Sequence, residues 1–152
     1  MLTIKRLSYD DAAILIKGAE KKAQKIGVPM CIAVTDDCGY LIAFKRMDGA
    51  KELSTTLAQD KAHTSAISKK ATADYNAAAV PGNLTNGIQT AAGGRFSTVG
   101  GGIPVVVKGA VVGAIGLSGG AAEQDMECAE AALKAFLKTQ SRRAARSSRI
   151  SS

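Results

Sequence analysis

The chemistry of this chain concentrates in residues 100–125, which read GGGIPVVVKGAVVGAIGLSGGAAEQD. Gly101, Ser118, Gly119, Gly120, Gln124 and Asp125 fall within that run, and Arg95 stands just upstream. Its glycines interrupt the chain where a strand gives way to a helix. Free backbone N–H groups and the positive end of the helix then meet at the rim of a sheet, a natural place for an anion. A guanidinium beside such amides grips a carboxylate or a phosphate. These seven residues are the expected contacts of a small anionic ligand. The same glycines also serve a plain sharp turn, which needs no ligand.

His63 is the only histidine. It offers one imidazole as a haem-iron ligand or general base, or it is an ordinary surface or interface residue. With no second histidine, a paired metal site cannot form. Ser118 lies in Gly116-Leu117-Ser118-Gly119-Gly120, which fits Gly-x-Ser-x-Gly by letter. A hydrolase triad of that kind needs a later histidine, and none follows Ser118. The glycine pattern also lacks the Gly-Lys-Ser/Thr of a phosphate-binding loop. A second, enzymatic reading stays open: hydrolysis or isomerisation of a small carboxylate, with Asp125 or Asp48 as base and Arg95 as anion clamp. A third makes the chain a structural partner of a metabolic enzyme. No catalytic residue is assigned.

The elements that must position these groups follow from periodicity. Val105–Val107 and Ala110–Leu117 flank Lys108-Gly109, the pattern of a tight hairpin. A closing helix is expected from Ala122 to Lys138, with Glu123 and Asp125 at its positive start. Upstream, Ser8 and Asp11 form a weak capping box for a helix over Tyr9–Ile26, stopped by Gly27 and Pro29. Met30–Thr35 and Tyr40–Lys45 are continuously apolar, which suggests strands covered on both faces. A long helix is expected from Ser54 to about Tyr75 with two apolar stripes. One stripe (Leu53, Leu57, Thr64, Ile67, Ala71) would pack on the sheet. The alanine stripe (Ala58, Ala62, Ala66, Ala73) would then meet another helix, from this subunit or a second one. Residues 76–102 form a long glycine-rich loop, with a short edge strand over Phe96–Val99.

At 152 residues with 46% hydrophobic content, one soluble domain is expected over residues 1–140. Scarce aromatics and abundant Ala and Gly imply close helix packing and stability drawn partly from a homo-oligomer. Of the net charge of +7, four positive charges sit in residues 141–152 (Arg142, Arg143, Arg146, Arg149), leaving 7 − 4 = +3 for the body. That basic Ser/Arg-rich tail is expected to be disordered. No aromatics interleave with its basic residues, which argues against nucleic-acid binding. Three cysteines without metal-ligand spacing, no secretory apolar segment near Met1 and no membrane-length apolar run point to a reduced, cytoplasmic, membrane-free protein.

Four blocks taken together resemble the GlcG/HbpS family: VTDDCGYLIAFKRMDGA at 34–50, DKAHTSA at 60–66, GGGIPVVVKGAVVGAIGLSGG at 100–120 and EQDMECA at 123–129. The family includes the C-terminal domain of the adenosyltransferase PduO, and the likeness covers about residues 3–139. It implies a profilin-like α+β fold, an antiparallel sheet of about five strands with helices on both faces. It also implies a small-ligand binder, with haem or a related tetrapyrrole as candidate cofactor and His63 as the available iron ligand. Octameric assembly and an accessory role in glycolate or diol/glycerol-type catabolism follow from the same likeness. This chain has Gly120-Ala121 where relatives usually place Thr or Ser, so one hydroxyl contact is missing.

Overall fold

The computed structural model describes residues 1–150. Helix α1 (Tyr9–Ile26) leads into strands β1 (Cys31–Asp36) and β2 (Leu41–Arg46), then helix α2 (Leu53–Ser68). After two 3₁₀ turns (Thr72–Tyr75 and Ile88–Thr90) comes α3 (Ala91–Gly94), a single irregular turn with left-handed backbone inside it. Strands β3 (Gly102–Val107) and β4 (Ala110–Ser118) follow, and α4 (Ala122–Ile150) closes the described chain.

The four strands form one antiparallel sheet in the order β2-β1-β4-β3, so each hairpin contributes one edge and one central strand. Every residue of β1 is buried, as its unbroken apolar run requires. The predicted α+β architecture with helices on both faces is present: α1 and α4 cover one face, α2 the other. The Lys108-Gly109 turn has φ of 50° and 78°, positive at both central residues, as a tight hairpin demands. The capping box on α1 also forms: Ser8 Oγ accepts from the Asp11 amide at 3.2 Å, and Asp11 accepts from the Ser8 amide at 3.1 Å.

Four expectations need correction. About five strands were expected, and the described residues hold four; Phe96–Val99 is not a strand. Phe96 instead turns inward and meets the Tyr75 ring edge-on, with centroids 4.8 Å apart. Helix α2 stops at Ser68, not Tyr75, because Lys69 takes a left-handed conformation (φ 59°). Beyond it, Thr72 Oγ1 donates to the Val99 carbonyl at 2.6 Å and accepts from the Gly102 amide at 3.0 Å, which fixes a different path.

The two stripes of α2 are exchanged. Ala58, Ala62 and Ala66 are fully buried against the sheet, while Leu53 is 68% and Ile67 41% exposed. Facing that alanine row lies Gly116 of β4. A Cβ there would overlap the Ala58 carbonyl and the Ala62 amide, so only small residues on both sides permit this approach. Finally, Ser141–Ile150 is not disordered but continues α4; residues 151–152 lie outside the described residues. Helix formers Ala and Arg carry it, and its root is tied down by bonds from Arg143 (2.9 Å) and Gln140 (3.3 Å) to Asp11.

Burial alone would raise the Asp11 carboxyl, but the Ser8 amide and hydroxyl together with Arg143 overcome this and hold it below the ordinary value of 3.8. An acid held low in the folded state stabilises fully above its ordinary value and loses that contribution as pH falls through the folded value. Asp11→Asn is expected to flatten the acid limb of the melting-temperature profile below about pH 4. Thermal melts of both proteins across that range check it.

Candidate functional site

The glycine break closes on itself. Lys61, about two turns into α2 on its buried side, sends its ammonium to the end of β4. There Nζ donates to the Leu117 carbonyl at 2.9 Å and to Asp125 Oδ2 at 2.8 Å. Both side chains are almost fully buried, at 1% and 3% exposure. Asp125 Oδ1 accepts from the Gly120 amide at 3.1 Å, and Gln124 Oε1 accepts from the Ala121 amide at 2.9 Å. Burial pushes the Asp125 carboxyl upward, opposed by Lys61 and by the Gly120 and Gly119 amides.

This arrangement corrects the sequence reading. An anion does sit at the start of α4, but it is the chain's own Asp125 carboxylate. Gly101 leaves room for the pair: a Cβ there would stand 2.9 Å from Lys61 Nζ and 2.7 Å from the Leu117 carbonyl, and its φ is +125°. Gly119 packs on Pro29 and Met30, and Ser118 Oγ shares a buried bond with Ser54 Oγ at 3.2 Å. Gly101, Ser118, Gly119, Gly120, Gln124 and Asp125 are thus brought together as an internal network. Asp125 is inaccessible as a base, and Asp48 sits exposed on the turn after β2. Lys61, which completes the network, had no sequence signal beyond a lysine on an otherwise small-residue face.

Arg95 lies elsewhere, and there a cavity of about 450 Å³ opens between the β1–β2 turn, α2 and the end of the long loop. Thr35, Tyr40, Thr56, Gln59, Asp60 and Arg95 line it. Asp36 Oδ1 shapes the turn by accepting from the Cys38 and Tyr40 amides, both at 2.9 Å. Arg95 is held twice by α2: its Nε donates to Asp60 at 3.0 Å, and its carbonyl accepts from Thr64 Oγ1 at 3.2 Å. His63, one helical turn from Gln59, sets Nδ1 3.0 Å from the Gly39 carbonyl. A carbonyl only accepts, so Nδ1 carries a proton, and in the neutral ring the lone pair is then on Nε2. Two residues singled out separately in sequence, His63 and Arg95, therefore border one region. Tyr40 (74% exposed) and Leu41 (49%) add apolar surface at its mouth.

Fold and site together define a class: a small α+β domain with a polar cleft between a strand turn and a helix and an oriented imidazole beside it. The family model described as haem degrading protein HbpS-like matches residues 7–134, and the chain belongs to that family. It is 37% identical over 122 residues to an uncharacterised 15.0 kDa protein in the dhaT-dhaS intergenic region of Citrobacter freundii, covering 80% of this chain and 86% of that one. The crystal structure of the Klebsiella pneumoniae protein ORFY is similar with a TM-score of 0.88 and 32% identity, covering 90% of this chain and 94% of that one. A crystal structure of a PduOC–haem complex is similar at 0.82 and 34%, covering 86% and 94%.

Removing one member of a buried pair strands the other charge, at a cost of about 3–5 kcal/mol. Lys61→Met is expected to lose stability on that scale, and Lys61→Met/Asp125→Leu to recover part of it. Urea unfolding of the two variants beside the parent chain measures both.

Proposed function

We propose that this chain is a small-ligand-binding protein that takes haem or a related tetrapyrrole beside the β1–β2 turn, where His63 Nε2 would hold the iron. The observation that carries the reading is the His63–Gly39 bond, which fixes the tautomer and leaves one ring nitrogen with a lone pair for a metal. Metal-bound histidines commonly donate their other N–H to a backbone carbonyl in this way. The donor set suits the group. Tyr40 and Leu41 present exposed apolar surface to a macrocycle face, and the Arg95 guanidinium, 45% exposed, offers charge to a propionate. Similarity to a protein crystallised with haem supports the choice of ligand. When bound, haem supplies a redox-active iron; the chain's own residues bind, orient and partly enclose it. No residue is proposed as a catalyst.

An accessory role in small-molecule catabolism belongs to the same reading, supported by similarity to proteins named from a dhaT-dhaS intergenic region and as PduOC. No helix is long and apolar enough to cross a membrane. A cytoplasmic setting and a homo-oligomer, an octamer by family likeness, belong to the same proposal. Leu53 and Ile67, left exposed on α2, are the apolar surface such an assembly would cover.

Haem titration followed by the Soret band tests the proposal. His63→Ala is expected to shift the band and weaken binding at least about tenfold, near 1.4 kcal/mol. Gly39→Ala, whose Cβ would stand 2.5 Å from His63 Nδ1, is expected to reproduce the spectral change by displacing the ring. An unchanged band and affinity in both variants would overturn the axial-ligand role.

A further inference from the structure

The continuation of α4 through residue 150 places its basic residues in register. Lys134, Lys138, Arg142, Arg146 and Arg149 follow one another at intervals of four, four, four and three, so they share one face of a single helix. All five are exposed. The row spans about 22 Å at 1.5 Å per residue. No acidic residue follows Glu130 in the sequence. Among the described residues, Lys134, Lys138, Arg142 and Arg146 make no ion pair. Arg142, Arg143, Arg146 and Arg149 also border a common hollow of about 490 Å³ on this helix.

The end of the row beyond Arg143 is held out from the body rather than folded onto it. Helices α1 and α4 pack antiparallel, as shown by Lys22–Glu127 (2.6 Å) near one end and Asp11–Arg143 (2.9 Å) near the other. Beyond that second bond, α1 has ended and α4 goes on alone for two turns. A solvated basic face of this length would ordinarily carry scattered acids for solubility; here the acids stop and the guanidiniums accumulate.

We infer that this stripe is a docking surface for the phosphate backbone of double-stranded nucleic acid, engaged without regard to base sequence. Guanidinium forks match phosphate oxygens in pairs. A duplex strand carries one phosphate per about 3.4 Å along its axis, so the row faces about six of them. The absence of aromatics argued against nucleic acid only where bases must be stacked; a duplex backbone needs no stacking platform. A bilayer is the poorer fit. Insertion requires a continuous apolar face opposite the charges, and the distal half of α4 offers mainly Ala and Ser, with Leu137 and Ile150, thirteen positions apart, as its large exposed apolar residues.

Fluorescence anisotropy of the full chain with a labelled mixed-sequence DNA duplex of about 20 base pairs tests the inference. Binding is expected at about 50 mM salt, with the logarithm of affinity falling against that of salt at a slope of about −3 to −4.5. Arg142→Gln/Arg146→Gln removes two contacts while keeping good helix formers, and is expected to reduce the steepness by about 1.8. Circular dichroism of the double variant separates a lost contact from a lost helix. A second protein ending at Ser141 should fold and lose the binding. The inference is overturned if the parent chain does not bind duplex at low salt, or if the double variant keeps the parent slope. It is equally overturned if vesicles rich in phosphatidylserine bind the stripe while the duplex does not.

Discussion

A lysine and an aspartate buried at the junction of three elements set the conditions for this fold. Lys61 comes from the helix on one face of the sheet and Asp125 from the helix on the other. Their bond passes around the end of β4, whose last carbonyls and following amides complete the coordination. A charge without water is costly, and this pair is tolerable because each partner makes a further hydrogen bond to the backbone, Lys61 to the Leu117 carbonyl and Asp125 to the Gly120 amide. That requirement fixes where α2 and α4 may sit relative to the sheet and forces glycine at position 101. It also places the chain's own Asp125 carboxylate at the helix start, bonded to the Gly120 amide.

With the junction locked, the remaining freedom lies on the opposite side of α2. The helix comes very close to β4 because Ala58 and Ala62 meet Gly116 with no side chain between them. Close approach brings His63 against the Gly39 carbonyl and lets Asp60 and Thr64 capture the end of the long loop at Arg95. The cleft is therefore a product of small-residue packing a layer beneath it. Its polar groups are ordered by the scaffold itself, His63 by the Gly39 carbonyl and Arg95 by Asp60 and Thr64.

Charge is distributed with the same economy. Most ion pairs on the body join neighbouring elements: Arg6 to the acids of the β1–β2 turn, Lys45 to Glu20, Lys22 to Glu127. The excess positive charge is left to the distal part of α4, where no acid remains in the sequence to neutralise it. A chain of net charge +7 thus carries much of its field at one end.

What the sequence determined by itself were the features set by local physics. The limits of α1, its capping box, the positive-φ hairpin at Lys108-Gly109 and the two-sided burial of β1 all follow from spacing and residue type within a few positions. So does family membership, because four ordered blocks are carried in the chain itself. Only the tertiary structure decided which stripe of α2 is buried. Two apolar faces are equivalent until a glycine on a strand more than forty residues away selects the smaller one. Tertiary contact likewise decided that Asp125 binds Lys61 rather than a ligand, since the partners lie 64 positions apart. The extended α4 is a mixed case: its residues favour a helix, but Asp11, at the far end of the chain, anchors the turn from which the rest continues.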